Sequence, residues 1–275
     1  MESLQKAFKW HSWSIYGQKK SQMRGTSRIL FAVQLQGGNL IIAYSFMSIL
    51  KTAWISLSEL GLAPSASMDR LRIVTDLEEA LEGADFVQES GPERLEVKQE
   101  LYSEIGKILP PSIIIGSSTS GLMMSDIQSD CSTPERTVIG HPFNPPYLLP
   151  LVEIVGGKRT APEAVAWAGE FYKAAGKAPL MMKKEIPGFV ATRLQEALWR
   201  EALHMVANDE ATPEDIDNAL MNGPGPRMVA QGQCMAFHVA CGTGDLGKLF
   251  LDKTNINGKI FCVDPNKGMI SKGKQ

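Results

Sequence analysis

Residue types that could act together on one small molecule follow one another through the middle of the chain. They are Glu89 and Glu93, the hydroxyl-rich run Ser117-Ser118-Thr119-Ser120-Gly121, His141 with Asn144, and Glu153. Imidazole changes charge nearest to neutral pH, so a histidine suits the removal and return of a proton. A carboxylate on the far ring nitrogen would fix the tautomer and stabilise the imidazolium. Hydroxyl and amide donors could hold an oxygen on which charge develops. Such a set fits the removal of a proton from an alcohol while a hydride leaves to a nicotinamide, which carries the harder chemistry. Each residue also has a plainer reading. A histidine after a strand is often a surface or capping residue, the serine run can be a simple turn, and Glu93 and Lys98 can be solvated helix charges. Glu153 is the least easily dismissed. It interrupts the apolar run Leu151-Val152-Glu153-Ile154-Val155, and a carboxylate buried without a partner is costly.

The elements that would position these groups alternate. Residues 84–89 read as a strand ending in an acid, and Pro92 opens a helix with Leu95, Leu101, Ile105 and Ile108 on one stripe. Ser112–Ile115 is short and apolar, the mark of a parallel strand buried on both faces. Thr137–Gly140 and Leu151–Val155 read as further strands, with His141 where the first ends. Ala161–Ala175 reads as a helix closed by Gly176, and Pro179–Met182 as a strand. Upstream, Ile29–Val33 and Leu71–Val74 read as short strands, 49–61 as a helix, and Asp76 as the cap of Leu77–Leu81. This rhythm predicts an open parallel α/β sheet whose strand ends gather the site. Beyond Pro187-Gly188 the pattern turns helical: 189–208, then a segment capped by Thr212-Pro213-Glu214, then about 228–240 after the break Gly223-Pro224-Gly225-Pro226.

Composition excludes several classes. A net charge of −2 gives no general attraction to nucleic acid or anionic membrane. No run approaches the ~18 uninterrupted apolar residues of a membrane span. Cys131, Cys234, Cys241 and Cys262 have no paired spacing, so neither a metal site nor a disulfide framework is expected, and a reducing, cytoplasmic setting fits. No acid lies between Glu2 and Glu59, while Lys6, Lys9, Lys19, Lys20, Arg24, Arg28 and Lys51 do. The segment reads either as a transit peptide or as a stretch foreign to the fold. The second fits better, because Trp10-His11-Ser12-Trp13 with Gly17 makes no clean amphipathic helix.

Three linked motifs then give the chain a likeness. Gly140-His141-Pro142-Phe143-Asn144-Pro145-Pro146, Leu151-Val152-Glu153-Ile154-Val155, and Ile186-Pro187-Gly188-Phe189-Val190 with Arg193 closely resemble the L-3-hydroxyacyl-CoA dehydrogenase family. Phe86-Val87-Gln88-Glu89-Ser90, Ala197-Leu198-Trp199-Arg200-Glu201-Ala202 and Gly223-Pro224-Gly225-Pro226-Arg227 look like its branch that holds L-carnitine dehydrogenase and lambda-crystallin. The resemblance covers roughly residues 49–251. It implies an NAD-dependent 3-hydroxy acid dehydrogenase with His141 as base and Glu153 as its acidic partner. It further implies Ser120 on the substrate hydroxyl, Asn144 beside nicotinamide and substrate, and Glu93 and Lys98 on the cofactor. Thr192 stands where hydroxyacyl-CoA enzymes carry a substrate-binding asparagine, which argues for a substrate smaller than an acyl-CoA.

The chain departs from that pattern at both ends. The family opens on a strand, a G-x-G-x-x-G loop and a helix that seat the pyrophosphate, whereas this region offers only Gly37-Gly38. The expected architecture is therefore a Rossmann-like parallel sheet domain with its first βαβ unit degraded, followed by a small all-α domain. Its limits are an atypical segment over 1–45, the NAD-binding and catalytic domain over 46–185, a shortened helical domain over 186–251 and a tail over 252–275. A small hydroxy acid substrate and a homodimer are implied. An acyl-CoA dehydrogenase, or a catalytically dead crystallin-like relative, remain as alternatives.

Overall fold

The computed structural model describes residues 29–32, 51–59, 61–62, 66–70, 74 and 76–232. The expectations for Gly37-Gly38, for most of Leu71–Val74 and for the stretch after Gly232 lie outside these residues. The chain divides into two compact units, Met1–Gln195 and Glu196–Gln275.

The first unit is built on a six-stranded sheet in sequence order: β1 (Ile29–Ala32), β2 (Phe86–Glu89), β3 (Ile114–Ser117), β4 (Thr137–Pro142), β5 (Leu151–Gly156) and β6 (Ala178–Met181). Helices α1 (51–59) and α2 (Leu77–Leu81) precede β2. Asp76 caps α2, accepting from the Glu79 N–H at 2.8 Å. Gly83 leaves the helix at φ +66, a conformation that suits glycine. Helix α3 (Leu95–Ile108) joins β2 to β3, and α4 (Met124–Ile127) lies between β3 and β4. Helix α5 (Pro162–Ala174) joins β5 to β6.

Strands β1 to β4 are mutually parallel, as expected, but β4 and β5 are antiparallel. The expected parallel sheet holds for β1 to β4 and for β5 with β6, and is corrected at the β4–β5 pair alone. The reason is the connection: residues 143–150 carry no helix and are too few for a parallel crossover, while an antiparallel neighbour needs only a loop. The reversal has two consequences. It sets the opening of β5 beside the end of β4, so His141 and Glu153 are direct register partners. It also moves α5 to the other face of the sheet, because a right-handed crossover between reversed strands lands opposite to those of β1–β4.

The two faces have separate cores. Val87, Ile115, Ile139 and Val155 meet Leu101, Tyr102 and Ile105 of α3 and Met124 and Ile127 of α4. Phe86, Ile114, Val138, Val152 and Ile154 meet Ala164, Ala168, Phe171 and Tyr172 of α5. Alternate residues of β2 to β5 thus face opposite helical layers, as the pleat requires. The buried stripe of α3 differs from the expected one. It includes Val97, Lys98 and Tyr102, whereas Ile108 is exposed.

Helix α6 (Ala191–Ala207) opens in the first unit and continues into the second, which also holds α7 (Pro213–Asn222) and α8 (Pro224–Gln231). A capping box starts α7: Thr212 Oγ accepts from the Asp215 N–H, and the Asp215 carboxylate accepts from the Thr212 N–H, both at 3.1 Å. The Gly223–Pro226 stretch does not merely break the chain. Pro224 opens α8, since proline suits a first helical position where no N–H is required.

Candidate active site

The His141–Glu153 pair is assembled by the β4–β5 register. His141 Nδ1 lies 3.0 Å from Glu153 Oε2, with the histidine 5% and the glutamate 0% exposed. With Nδ1 turned to the carboxylate, the favoured neutral tautomer has its proton there, and Nε2 is the nitrogen left to accept another. Glycine at 140 is a requirement of packing. A Cβ there would sit 2.6 Å from Tyr172 Cζ and closer still to its hydroxyl. Tyr172 in turn donates to Gln88 Oε1, and Gln88 Nε2 donates to the Gly140 carbonyl at 3.2 Å. The residue before the histidine is therefore fixed from below by a buried polar network.

The second oxygen of Glu153 is also occupied. Oε1 accepts from the backbone N–H groups of Val190 and Ala191 at 2.8 and 2.9 Å. These are the opening amides of α6, which lack carbonyl partners inside the helix. Phe189, fully buried, stands with its ring centroid 5.4 Å from that of His141.

A second cluster forms where β2 and β3 end. Glu89, fully buried, accepts from Lys98 Nζ at 2.8 Å and from Ser117 Oγ at 2.6 Å. Lys98 also lies 3.5 Å from Glu93 Oε2. Glu93 Oε1 accepts from the Thr119 hydroxyl, from the Ser120 N–H at 3.0 Å and from the Gly121 N–H at 3.3 Å. Partial burial pushes the Glu93 carboxyl up, but the Thr119 hydrogen bond, the Lys98 charge and the two amides outweigh it. The group stays below its ordinary value. Glu93 thus ties down the 118–121 loop, while its own side chain is 44% exposed.

Of the residues expected from the sequence, His141 and Glu153 are brought together, as are Glu93, Lys98 and the backbone of Ser120. Ser120 and Asn144 are exposed, and Thr192 is half-buried in the first turn of α6. Lys98 lies inside the cluster. It is 1% exposed and engaged by two carboxylates. Glu153 is not at the carboxyl end of its strand, since β5 is reversed; it reaches the site because its strand starts there. The Glu89–Lys98 pair and the α6 amides went unread in the sequence. A signal for the first existed: Lys98 falls three residues after Leu95 and three before Leu101, on the apolar stripe, where a lysine needs a buried partner. A backbone amide carries no residue-type signal. Among the described residues no cluster could hold a metal ion, and no helix is long and apolar enough to cross a membrane.

Residues 51–186 match the 3-hydroxyacyl-CoA dehydrogenase NAD binding domain, and residues 188–242 match the 3-hydroxyacyl-CoA dehydrogenase C-terminal domain. L-carnitine dehydrogenase of Streptomyces coelicolor is 52% identical over 201 residues, 73% of this chain and 63% of that protein. The enzyme of the same name from Pseudomonas putida is 53% identical over 190 residues, 69% of this chain and 59% of its own length. The chain thus spans about three fifths of the curated relatives it matches. Among solved structures, 5-formyl-3-hydroxy-2-methylpyridine 4-carboxylic acid 5-dehydrogenase, an NAD+ dependent dismutase, is 31% identical with a TM-score of 0.68. The match covers 86% of this chain and 75% of that one. Escherichia coli 3-hydroxybutyryl-CoA dehydrogenase is 29% identical with a TM-score of 0.59, over 72% of this chain and 41% of that one.

Proposed function

The chain belongs to the 3-hydroxyacyl-CoA dehydrogenase family, and from that premise we propose that it oxidises the secondary alcohol of a small 3-hydroxy acid of the L-carnitine type, with NAD as hydride acceptor. The observation that carries this reading is the buried His141–Glu153 pair, 3.0 Å apart on adjacent strands. The half-exposed carboxylate of Glu93 and the exposed Ser120 and Asn144 suit the nicotinamide end of such a cofactor, since ligands of open α/β sheets bind where parallel strands end. When bound, the nicotinamide supplies the hydride acceptor.

The chain's own residues do the rest. His141 Nε2 takes the hydroxyl proton, and Glu153 stabilises the resulting imidazolium through Nδ1–H. Ser120 holds the substrate oxygen, and Asn144 aligns it. Lys98 acts from behind by holding Glu89 and Glu93. Thr192 supports a substrate without coenzyme A, as do the relatives named L-carnitine dehydrogenase. The second reading, an acyl-CoA substrate, is favoured by the family's descriptions and by the Escherichia coli neighbour. A homodimer belongs to the same reading, supported by the exposed apolar side chains of Leu198, Trp199 and Leu203. A cytoplasmic setting is supported by the buried free thiol of Cys131.

The test is NADH formation with L-carnitine, with 3-hydroxybutyrate and with 3-hydroxybutyryl-CoA, for wild type, His141→Ala, Glu153→Gln and the double variant. L-carnitine is expected to give the highest kcat/KM. His141→Ala should lower turnover by about 10²–10⁴, and Glu153→Gln should lose part of the same factor. The losses should not multiply, because the two residues act as one unit. Preference for the CoA ester would replace the substrate reading, and unchanged turnover in His141→Ala would remove the base.

A further inference from the structure

A glutamate side chain ends in a broad torsion between two equivalent oxygens. One hydrogen bond to an imidazole does not stop it turning. In this structure the turning is blocked from the far side. Val190 and Ala191 donate to Glu153 Oε1, while Oε2 faces His141. The amides arrive there because the chain doubles back just before α6. Gly188 has φ +71 and Phe189 has φ +50. Glycine takes such a backbone freely, but a phenylalanine does so only where its surroundings impose it. Here the surroundings are the core: the Phe189 ring is fully buried with Ile139 and Val155 and lies beside His141. The positive end of the α6 dipole also favours a carboxylate at that point.

We infer that the opening of α6 is a positioning device for the catalytic pair, in which the Val190 and Ala191 amides, delivered by the Phe189 turn, hold Glu153 so that His141 keeps its proton on Nδ1 and its lone pair on Nε2. This rests on the reading of His141 as the base. It adds positioning residues that touch neither substrate nor cofactor. It also ties the geometry of the base to the first turn of a helix that runs on to Ala207.

The experiment reads the tautomer directly, by long-range ¹⁵N–¹H correlation on the chain labelled at histidine, the His141 signals being assigned by their loss in His141→Ala. Wild type is expected to show one neutral tautomer, protonated at Nδ1. The opposite tautomer would sink the base reading itself. Ala191→Pro deletes one of the two donors at a first helical position, where proline is tolerated. It should give a mixture of tautomers, while Ala191→Gly, which keeps the N–H, should retain the wild-type signal. Should Ala191→Pro fail to fold, Glu153→Ala decides by amide exchange. The Val190 and Ala191 amides should exchange at least about tenfold faster, and the Leu194 amide, bonded to the Val190 carbonyl at 3.1 Å, should not change. A folded Ala191→Pro with one Nδ1–H tautomer, or unchanged exchange at Val190 and Ala191 in Glu153→Ala, overturns the inference and leaves His141 as base untouched.

Discussion

Lys98 and Glu89 show what a single buried charge requires. Both are at most 1% exposed, and the glutamate also accepts from Ser117. Removing the cation while leaving the carboxylate strands a charge in the core. Lys98→Met is therefore expected to cost about 3–5 kcal/mol, read from urea midpoints, and Glu89→Gln in the same chain should recover part of it. A loss within experimental error would mean that the pair is not buried as described. Glu93 acts at the surface of the same cluster, and its effect depends on pH. Its folded carboxyl lies below its ordinary value of 4.5. Its contribution to stability is thus full above that value and is lost as pH falls through the folded one. Glu93→Gln should flatten the acid limb of the stability curve below pH 4.5 and leave its slope near neutrality unaltered; the check is the urea midpoint as a function of pH. At this scale the sequence was most legible where residue type carries the chemistry. His141 and Glu153 could be paired because an acid in an apolar strand demands a partner. Lys98 could be read as a site residue, but its pairing with Glu89 could not, because that partner lies nine residues back, on another element.

Among the elements, β4 and β5 decide the site. The alternation of strands and helices announced a parallel sheet, and it was right as far as β4. It failed at the 143–150 connection, whose length already excluded a crossover. The reversal is what lets two consecutive strands present an acid and a base to each other. The pairing also depends on β4 lying close over α5, and Gly140 makes that approach possible. In Gly140→Ala the new methyl would overlap the Tyr172 hydroxyl and crowd Cζ at 2.6 Å. Overpacking of this kind typically costs about 1–3 kcal/mol. The substitution should lower the urea midpoint accordingly, and Tyr172→Phe should not rescue it, because the ring carbons remain in the way. Full rescue by Tyr172→Phe would show that only the hydroxyl matters. The glycine could be read as part of a motif, but the reason for it could not, because Tyr172 lies on a helix thirty-two residues later.

For the whole molecule, the family, the sheet domain and the helical region after Pro187-Gly188 were all legible, because periodicity and three spaced motifs pointed the same way. The seat of the pyrophosphate was not: the sequence offers only Gly37-Gly38 there, outside the described residues. Yet β1 pairs with β2 in parallel, from Ile29 opposite Phe86 to Ala32 opposite Glu89. The site-bearing edge of β2 therefore has a neighbouring strand, even though no glycine fingerprint follows it. The catalysis proposed for the His141–Glu153 pair needs NAD on that edge, so the most direct measurement is a titration of the purified full chain with NAD, followed by the quenching of its tryptophan fluorescence. Saturable binding in the micromolar to low millimolar range, abolished or weakened in Glu93→Gln and retained in His141→Ala, is the expected result. A chain that stays folded and shows no saturation at millimolar NAD would contradict the claim that it is an NAD-dependent dehydrogenase.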